Sequence, residues 1–378
     1  MSKTPSRKDY SLARKTPDRL IPAPRLPYAP RDPKGYRPGI ALIGCGGISA
    51  THLAAYRSAG YPVIALCDVV REKARMRMRE YFPKAGVYTD FRRVLDRGDV
   101  SVVDVATHPA QREPIVEAAI RAGKHVLSQK PFVRDLGLGE RLVKLADRHR
   151  VKLAVNQNGR FAPHFSWMRH AITAGLIGDV VSVHTAVHWD HSWTIGTPFE
   201  RIRDLVLYDF GIHWFDIVSC FFSGRKARRV MTIRTRSLRQ KARPPFLAEA
   251  IVEYPGGQAS LVFDAALPFG ARDLTYVGGT AGSLASEGPN LGKQSVTIYT
   301  PRGYARPKLS GTWFPGGFHG SMAELLCAIE ENRDPSNSAR SNLASLALCF
   351  AAIASADKGR AQVPGRVRRL PAGAAPGA

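Results

Sequence analysis

The sequence has few cysteines, no long apolar run and a shortage of acidic residues. Its five cysteines lie far apart and form no CxxC pair, which argues against a disulfide framework and against a structural zinc site. No apolar run approaches the ~20 residues that a membrane-spanning helix needs. The first residues are basic, but they lack the apolar segment of a secretion signal. We therefore expect a cytoplasmic protein with reduced thiols and no membrane association.

The charge is strongly unbalanced, with 55 Lys and Arg against 31 Asp and Glu and a formal net charge of +24. A net charge of this sign raises the hypothesis of a nucleic-acid partner. Part of the excess lies at the two ends of the chain, and the rest is spread without a block of consecutive basic residues. Because a nucleic-acid arm is typically such a block, we predict a solvated basic surface and no specific nucleic-acid binding.

Composition and apolar pattern divide the chain into four parts. Residues 1–37 are rich in Pro, Arg and Lys and lack apolar periodicity, which indicates an extended or disordered arm. Residues 38–158 and residues 159–362 have the apolar patterns of two folded domains. Residues 363–378 form a short basic stretch rich in Pro, Gly and Ala, which we expect to be a flexible tail.

The two predicted domains differ in how strands and helices follow one another. From Gly39 to about residue 158, short apolar strands alternate with helical patterns, which predicts a doubly wound parallel sheet, that is, a Rossmann domain. After Phe161, strand-like runs follow one another through short turns such as YPGGQ, which predicts an α+β domain with a large, mostly antiparallel sheet. The overall class is therefore α/β. Further on, Ser321 and Glu324 have the spacing of a capping box at a helix start.

A glycine-rich turn follows the first strand in the stretch GIALIGCGGIS. Gly44, Gly46, Gly47 and Ile48 stand between this strand and a predicted helix, where small residues let the main chain approach a pyrophosphate. Asp68 ends the next strand about 20 residues later, where a carboxylate can bind the adenosine ribose. Because a carboxylate there repels a 2′-phosphate, we predict NAD as the cofactor, with NADP less favoured. The alternative is a plain strand–helix turn with an Asp that caps the next helix.

A lysine stands in an unusual place in the stretch SQKPF, directly after the apolar strand KHVLSQ. Pro131 disfavours helical geometry for Lys130, and the peptide bond between them is a candidate for the cis form. The carboxyl end of this strand faces the crevice where open α/β sheets bind ligands. Lys130 is therefore predicted to lie near the reactive end of the cofactor and to move a proton. His108, after the preceding strand, is a further candidate for cofactor contact.

The stretch LYDFGIHWFD carries the second group of candidate catalytic residues. Asp209 and His213 are four residues apart and therefore share one face of the predicted helix. A carboxylate and an imidazole placed in this way can hold two hydroxyls of a polyol and help to move a proton. Gly211 costs about 1 kcal/mol in a helix relative to Ala, which suggests that other atoms approach closely there. The alternative is an acid at a helix start and a core histidine.

Together, GCGGIS, Asp68, GKHVLSQKPF and DFGIHWFD resemble the glucose-fructose oxidoreductase/inositol dehydrogenase family, often called Gfo/Idh/MocA. The resemblance extends from about Gly39 to Val363. It implies an N-terminal Rossmann domain and a C-terminal domain whose open sheet mediates assembly into a homodimer or homotetramer. It also implies hydride transfer between NAD(P) and a carbon of a sugar or cyclitol.

The resemblance also implies roles for individual residues. Lys130 matches the catalytic lysine of the family's Glu-Lys-Pro motif, and Gln129 stands where the family has the Glu, at a contact to the nicotinamide ribose. Asp209 and His213 match the family's Asp-x-x-x-His motif. The glycine-rich segment that often precedes this Asp is replaced here by IRDLVL, a difference that bears on the substrate class.

Four more residues are candidate substrate contacts. Trp189 and His191 lie in HTAVHWDHSW, and in the family the segment after this strand approaches the substrate. Aromatic and imidazole groups suit the C–H face and the hydroxyls of a sugar. Asn156 ends the strand after the lysine segment, and Arg160 follows shortly. Each of these two is either a ligand contact or a loop and capping residue.

The same stretch raises the hypothesis of a metal site. His184 and His188 share a face of the predicted strand. No carboxylate or cysteine completes a recognised ligand spacing around them. We therefore predict no metal.

We predict an NAD(P)-dependent oxidoreductase that acts on a secondary alcohol of a sugar, sugar acid or cyclitol. In the oxidative direction, Asp209 or His213 orients the hydroxyl and Lys130 takes or relays its proton. One alternative is a redox-neutral sugar enzyme, such as a glycosidase or epimerase, with tightly held NAD. Another is a protein that binds NAD as a sensor or scaffold and has lost turnover.

Overall fold

The computed structural model describes residues 17–375, so residues 1–16 of the arm and 376–378 of the tail lie outside the described residues. The first domain is built on a sheet of six parallel strands: β1 (Gly39–Ile43), β2 (Val63–Cys67), β3 (Gly86–Tyr88), β4 (Val100–Val105), β5 (His125–Ser128) and β6 (Leu153–Val155). Their order in the sheet is β3-β2-β1-β4-β5-β6. The parallel sheet predicted from strand–helix alternation is confirmed.

Five helices connect consecutive strands of this sheet: α1 (Ser49–Ser58), α2 (Arg71–Tyr81), α3 (Phe91–Leu95), α4 (Pro109–Arg121) and α5 (Leu136–His149). The strand order reverses between β1 and β4. At such a reversal, the loops after neighbouring strands separate and leave a crevice at the carboxyl ends of the strands. The glycine turn after β1 and the lysine after β5 both belong to this edge of the sheet.

The second domain is built on a sheet of eight strands: β7 (Val180–His188), β8 (Arg229–Thr235), β9 (Leu247–Tyr254), β10 (Gly257–Asp264), β11 (Arg272–Gly279), β12 (Ser283–Asn290), β13 (Lys293–Thr300) and β14 (Gly303–Ala305). Their order is β14-β13-β12-β11-β7-β10-β9-β8, and all neighbours are antiparallel except β7 and β10. The mostly antiparallel sheet is thus confirmed, including the β9–β10 hairpin at YPGGQ.

Four helices complete the second domain and the contact between the domains: α6 (Pro163–Thr173), α7 (Ile212–Phe221), α8 (Gly316–Glu330) and α9 (Ala339–Lys358). By length and composition, α9 is long and apolar enough to cross a membrane, but 67% of its most apolar stretch is buried inside the protein. Its side chains belong to the same core as α5 and α7. The burial identifies α9 as a core helix.

The two faces of the large sheet differ in what covers them. Val183 and Val187 on β7 are buried, whereas His184 between them is exposed, as the two-residue period of a strand requires. On the uncovered side, Tyr276, His184, Ser260, Ile251 and Met231 form one row across neighbouring strands. Tyr276 is 45% exposed and Ile251 is 58% exposed. We call this row, with Ile233 beside it, the outer sheet face.

The described part of the N-terminal arm, residues 17–37, is extended and lies along both domains. Ser166 on α6 donates a hydrogen bond to the main-chain oxygen of Tyr28. Glu330 at the end of α8 accepts the three consecutive main-chain N–H groups from Lys34 to Tyr36, at 2.7 to 2.8 Å. The arm therefore reaches β1 along a path held by main-chain hydrogen bonds.

The described part of the tail, which we expected to be flexible, is held against the first domain. The N–H of Leu136 donates to the main-chain oxygen of Arg368, and the N–H of Leu370 donates to that of Arg134. Leu370 is 5% exposed. Composition does not reveal these contacts, because the partner segment leads into α5, far away in the sequence.

The predicted capping box at Ser321 is wrong. Helix α8 begins at Gly316, so Ser321 lies inside the helix and is fully buried. Glu324 instead accepts hydrogen bonds from Arg333, at 2.6 Å, and from the N–H of Ser336, also at 2.6 Å. The motif spacing occurs by chance, because the glycines at 316 and 317 already belong to the helix.

A histidine in the core makes the fold sensitive to acid. His164 on α6 is 2% exposed, and burial lowers its pKa to about 3. The unfolded chain takes up this proton below about pH 6.5 and the folded chain does not, so stability is complete above that pH and falls as the pH drops. We expect His164→Phe to remove roughly 1.4 kcal/mol per pH unit of this dependence between pH 6 and 4.

Urea unfolding at a series of pH values measures this effect. His149→Gln, at an exposed position at the end of α5, is the matched control and should leave the pH dependence unchanged. An identical slope for His164→Phe and the wild type would contradict the assignment of acid sensitivity to His164.

Candidate active site

The glycine turn after β1 is shaped to receive a phosphate group. Gly44 has a φ of +100°, and a Cβ there would lie 2.9 Å from the main-chain carbon of Ala106 at the end of β4. At Gly46 and Gly47 an added Cβ would meet no atom within 4 Å. The N–H groups of Gly46, Gly47 and Ile48 make no hydrogen bond within residues 17–375. Open space above free N–H groups at a helix start fits the pyrophosphate of NAD.

Asp68, which we predict to bind the adenosine ribose, lies beside this turn. Its Oδ2 atom accepts the N–H of Cys45 at 2.8 Å, and its Oδ1 atom accepts the N–H of Val70 at 2.9 Å. Sequence reasoning missed Arg77 on α2, which donates to Ser49 Oγ at 3.0 Å and to the oxygen of Gly46 at 3.3 Å. Arg77 therefore brings a positive charge next to the turn, at a position without a sequence signal.

Lys130 and Asp209, which come from different domains, are in direct contact. The peptide bond between Lys130 and Pro131 is cis. The Nζ atom of Lys130 donates to the main-chain oxygen of Asp209 at 2.8 Å and to its Oδ1 atom at 3.2 Å. The two side chains are 14% and 18% exposed. The pair is thus half-enclosed at the carboxyl end of β5, with a small part of each side chain exposed.

Asp209 lies on a π-helical turn, Val206–Phe210, that leads into α7. The N–H of Gly211 donates to the oxygen of Val206 at 2.6 Å and closes the wide turn. A Cβ at Gly211 would lie 2.7 Å from that oxygen and 2.9 Å from the oxygen of Leu207. The close approach predicted at Gly211 is therefore to the main chain of its own turn. Single π turns of this kind are frequent at functional sites.

His213 lies on the first turn of α7, one turn beyond Asp209. It is 9% exposed, and its ring is 5.4 Å from that of Trp313. Burial and then the positive charge of Lys130 hold the pKa of His213 well below its usual range. The imidazole is therefore neutral near pH 7, so it can donate or accept a hydrogen bond but does not supply a positive charge.

A buried arginine, which sequence reasoning missed, holds the lysine segment. The guanidinium of Arg112 on α4 donates to the main-chain oxygens of Thr107, Gln129 and Pro131, and that to Gln129 is 2.5 Å long. Arg112 is 2% exposed, and burial lowers its pKa to about 10. One side chain thus ties the start of α4 to the residues on both sides of Lys130. An arginine in a helical pattern gives no sign of this role.

Trp189 and His191, which we predict to contact the substrate, lie beside the turn that carries Asp209. Their rings are stacked 5.2 Å apart, and the ring of His191 lies 4.3 Å from that of Phe210. Both residues line a small cavity together with Phe210 and Trp214. Burial lowers the pKa of His191 to about 4, so this ring is neutral too. The cavity wall is mostly aromatic and aliphatic, and Asp264 is the acidic residue in it.

The other candidate contacts lie at the same edge of the parallel sheet. His108 precedes the first residue of α4, next to the end of β4. Gln129 and Asn156 follow β5 and β6, and the Nδ2 atom of Asn156 lies 3.1 Å from Gln129 Oε1. Asn156 is fully buried. Its contact with the site therefore passes through Gln129 rather than directly to a ligand.

The structure corrects the assignment of Arg160 to the substrate site. Arg160 is 3% exposed and forms a bidentate ion pair with Asp216 on α7, at 2.6 and 2.7 Å. It also donates to the oxygen of Ser336 and to Ser341. Arg160 is a core residue, because its guanidinium is used in joining the short turn after β6 to α7 and α9.

The two histidines considered for a metal site contact different partners. His184 lies on the outer sheet face and contacts Ser260 Oγ at 2.7 Å, whereas His188 lies 3.8 Å from Asp264. Within residues 17–375, no group of three or more His, Cys, Asp or Glu side chains is placed to hold a metal ion.

A parallel sheet with a glycine turn after its first strand and an acid after the second is the arrangement of a dinucleotide-binding Rossmann domain. Residues 39–157 match the model of the oxidoreductase family with an NAD-binding Rossmann fold, and residues 165–285 match that of the GFO/IDH/MocA C-terminal domain. The chain belongs to the Gfo/Idh/MocA family. The resemblance seen in the sequence and the prediction of NAD as cofactor are thus confirmed.

Characterised relatives match along most of the chain. D-apiose dehydrogenase of Paraburkholderia graminis is 27% identical over 85% of this chain and 88% of that protein. Inositol 2-dehydrogenase of Rhizobium meliloti is 27% identical over 83% of this chain and 95% of that protein. The similarity therefore includes both domains of these dehydrogenases.

Solved structures share the fold. An oxidoreductase from Agrobacterium radiobacter, in complex with NAD+, L-tartaric acid and magnesium, has a TM-score of 0.78 at 20% identity and covers 88% of this chain and 99% of its own. Levoglucosan dehydrogenase in complex with NADH and levoglucosan has a TM-score of 0.73 at 19% identity and covers 87% of this chain and 99% of its own. At these identities the likeness shows the architecture alone.

Proposed function

We propose that this protein is an NAD-dependent dehydrogenase that oxidises a secondary alcohol of a sugar, sugar acid or cyclitol, or reduces the corresponding ketone. The observation that carries the proposal is the contact of Lys130 with Asp209 at the carboxyl end of β5, with His213 one turn away. The names of the relatives, an apiose dehydrogenase and an inositol dehydrogenase, support this substrate class.

Lys130 and Asp209 provide a route for the proton of the alcohol. NAD, when bound, supplies the acceptor for the hydride. The ammonium of Lys130 donates to Asp209 through two hydrogen bonds, so it can pass a proton to the Asp209 carboxylate as it takes the proton of the hydroxyl. The half-enclosed position limits access of water and strengthens this interaction relative to bulk solution.

His213 orients the hydroxyl as a neutral group. Its lowered pKa keeps one ring nitrogen protonated and the other free. A neutral imidazole can accept the hydroxyl hydrogen or donate to its oxygen without adding charge next to Lys130. Trp189 and His191 offer an aromatic wall to the C–H face of a sugar ring. Orientation of this kind can contribute ~7 kcal/mol or more to catalysis.

A substrate screen tests the proposal. The purified protein is mixed with NAD and a panel of aldoses, sugar acids and cyclitols, and the absorbance of NADH is followed over time. We expect at least one secondary alcohol to give NADH in a one-to-one ratio with the oxidised product. Product formed without free NADH would instead support the redox-neutral alternative, and tight NAD binding without any turnover would support the sensor alternative.

We also propose that two or more copies assemble through the outer sheet face. In this row Tyr276, Ile251 and Met231 expose apolar side chains, and the polar residues His184 and Ser260 lie between Tyr276 and Ile251. Large apolar side chains grouped on one exposed sheet face, with Ile233 beside Ile251 and Met231, are typical of an interaction surface. A reducing compartment such as the cytoplasm fits the five cysteines, which are all free and mostly buried.

A charge in this surface should prevent assembly. We expect Ile251→Asp to shift the protein to monomers in analytical ultracentrifugation, because an interface would have to bury the carboxylate without a partner. Met76→Asp, at a 47% exposed site on α2, is the control and should keep the wild-type mass. A wild-type protein that is already monomeric at micromolar concentration would contradict this interface.

A further inference from the structure

A hydrogen-bonded network of buried polar side chains leads from the centre of the parallel sheet to the lysine segment. His52 on α1 has its Nδ1 atom 2.7 Å from Asp104 Oδ2 on β4 and its Nε2 atom 3.3 Å from Asn156 Nδ2. Asn156 Nδ2 is in turn 3.1 Å from Gln129 Oε1. The four side chains are 0% to 5% exposed. Burying so many polar groups costs folding free energy, so we expect this network to have a function.

The donor and the acceptor of every hydrogen bond in this network follow from the groups at its two ends. The main-chain N–H of Lys130 can only donate, and it donates to Gln129 Oε1 at 3.0 Å. Because Oε1 is then an acceptor, Asn156 must donate to it through Nδ2, and His52 Nε2 must accept from Asn156. The ring proton of His52 therefore lies on Nδ1, where the carboxylate of Asp104 can only accept it.

A second donor at the far end supports this assignment. The hydroxyl of Tyr56 donates to Asp104 Oδ2 at 2.6 Å. The carboxylate oxygen thus faces two donors, Tyr56 and His52, and anchors the tautomer of the imidazole. Fixing a histidine tautomer through an acceptor on its other nitrogen is a general device in proteins.

At one end of the network, the Nε2 atom of Gln129 is free. This atom makes no hydrogen bond within residues 17–375, and it is not among the buried polar atoms without a partner. It is therefore the accessible end of a side chain that is otherwise 5% exposed. The N–H of Gln129 bonds to the oxygen of Val105 at the end of β4. The free amide thus lies at the crevice, between the ends of β4 and β5.

We propose that Asp104, His52 and Asn156 are positioning residues that hold the side chain of Gln129 as a hydrogen-bond donor to an acceptor oxygen in the nicotinamide half of the cofactor. The glycine turn and Asp68 lie after β1 and β2, so the other half of the dinucleotide lies towards β4 and β5. A Glu at position 129 would present a negatively charged acceptor instead. The proposal rests on NAD binding and not on the identity of the alcohol.

Gln129→Glu distinguishes a donor from an acceptor. The variant keeps one oxygen for both internal hydrogen bonds and replaces the Nε2 donor by a carboxylate oxygen. We expect the dissociation constant of NADH, measured by its fluorescence, to rise about tenfold or more, with a melting temperature close to that of the wild type. Asn332→Asp, at an exposed position just after α8, adds the same charge and should leave the dissociation constant unchanged.

Unchanged or tighter binding of NADH by Gln129→Glu would overturn the proposal, because the group that faces the cofactor would then be an acceptor. A second measurement tests the assignment of donors and acceptors in the network. In protein labelled with nitrogen-15 histidine, the ring signals of His52 are assigned by their loss in His52→Gln. We expect Nδ1 to carry the proton and Nε2 to carry none; a protonated Nε2 would overturn the proposal.

Neither measurement uses an alcohol substrate. A screen that finds no oxidisable sugar or cyclitol would therefore count against the proposed function and leave the donor role of Gln129 standing. Conversely, a failed Gln129→Glu test in an enzyme that oxidises a sugar would remove the positioning role of His52 and Asp104 and leave the dehydrogenase activity in place.

Discussion

Lys130→Ala should lower turnover by about 10²- to 10⁴-fold, the usual contribution of a group that transfers a proton in the transition state. The expected cause is the loss of the only lysine that touches Asp209 among the described residues. The affinity for NAD should remain, because the glycine turn and Asp68 are untouched. Steady-state kinetics, NADH fluorescence and a melting curve measure the three quantities separately.

Lys130→Arg separates the charge of the lysine from its proton. Arg keeps a positive charge beside Asp209 but does not lose its proton at accessible pH. We therefore expect Lys130→Arg to be almost as slow as Lys130→Ala. Lys144→Ala, at an exposed position on α5, is the control and should behave as the wild type. Near-normal turnover in Lys130→Ala would remove the lysine from the mechanism, and near-normal turnover in Lys130→Arg would reduce its role to charge.

Arg112→Met should damage both stability and catalysis. The substitution keeps an unbranched chain but removes the guanidinium donor from the main-chain oxygens of Thr107, Gln129 and Pro131, of which Gln129 keeps a weaker donor in the hydroxyl of Ser128. An unsatisfied buried carbonyl costs about 1 to 3 kcal/mol. Removing the buried charge returns part of this energy, because a pKa lowered to about 10 corresponds to roughly 3 kcal/mol of burial cost. We expect a net loss of about 2 kcal/mol or more in the free energy of unfolding.

The catalytic effect of Arg112→Met follows from the position of Lys130. Displacement of a catalytic group by about 1 Å can cost ~10²-fold in rate, so we expect kcat to fall by about that factor while the KM for NAD changes less. Arg121→Met, at an exposed ion pair on the same helix, is the control and should change neither kcat nor stability by much. Arg112→Met with wild-type kcat would show that the guanidinium does not position the lysine segment.

Short-range patterns in the sequence predicted the elements that carry the site. The glycine turn, Asp68 after β2 and Lys130 before a proline are each defined by neighbours within a few residues. Such patterns depend on local sterics and on strand or helix period, which the chain displays without reference to distant contacts. For the same reason the spacing of Asp209 and His213 was informative, although their turn is partly π-helical.

Contacts between distant segments could not be predicted in this way. The same residue type, arginine, serves as a core ion pair at 160, as a clamp on main-chain oxygens at 112 and as a neighbour of the glycine turn at 77. The sequence around each of them has no distinguishing motif. Their roles depend on which carboxylate or carbonyl group the fold brings within hydrogen-bond distance.

By itself, the sequence determined the two domain types and the place of the cofactor turn. It also singled out Lys130 and the stretch that carries Asp209 and His213 as candidates for the site. The tertiary structure alone decided that Arg160 is a core residue, that the tail is packed along α5 and that His52 and Asp104 reach the lysine segment through Asn156. The physical reason is that helix and strand patterns are written in neighbouring residues, whereas hydrogen-bond partners far apart in the chain are chosen only when the sheet and its loops close.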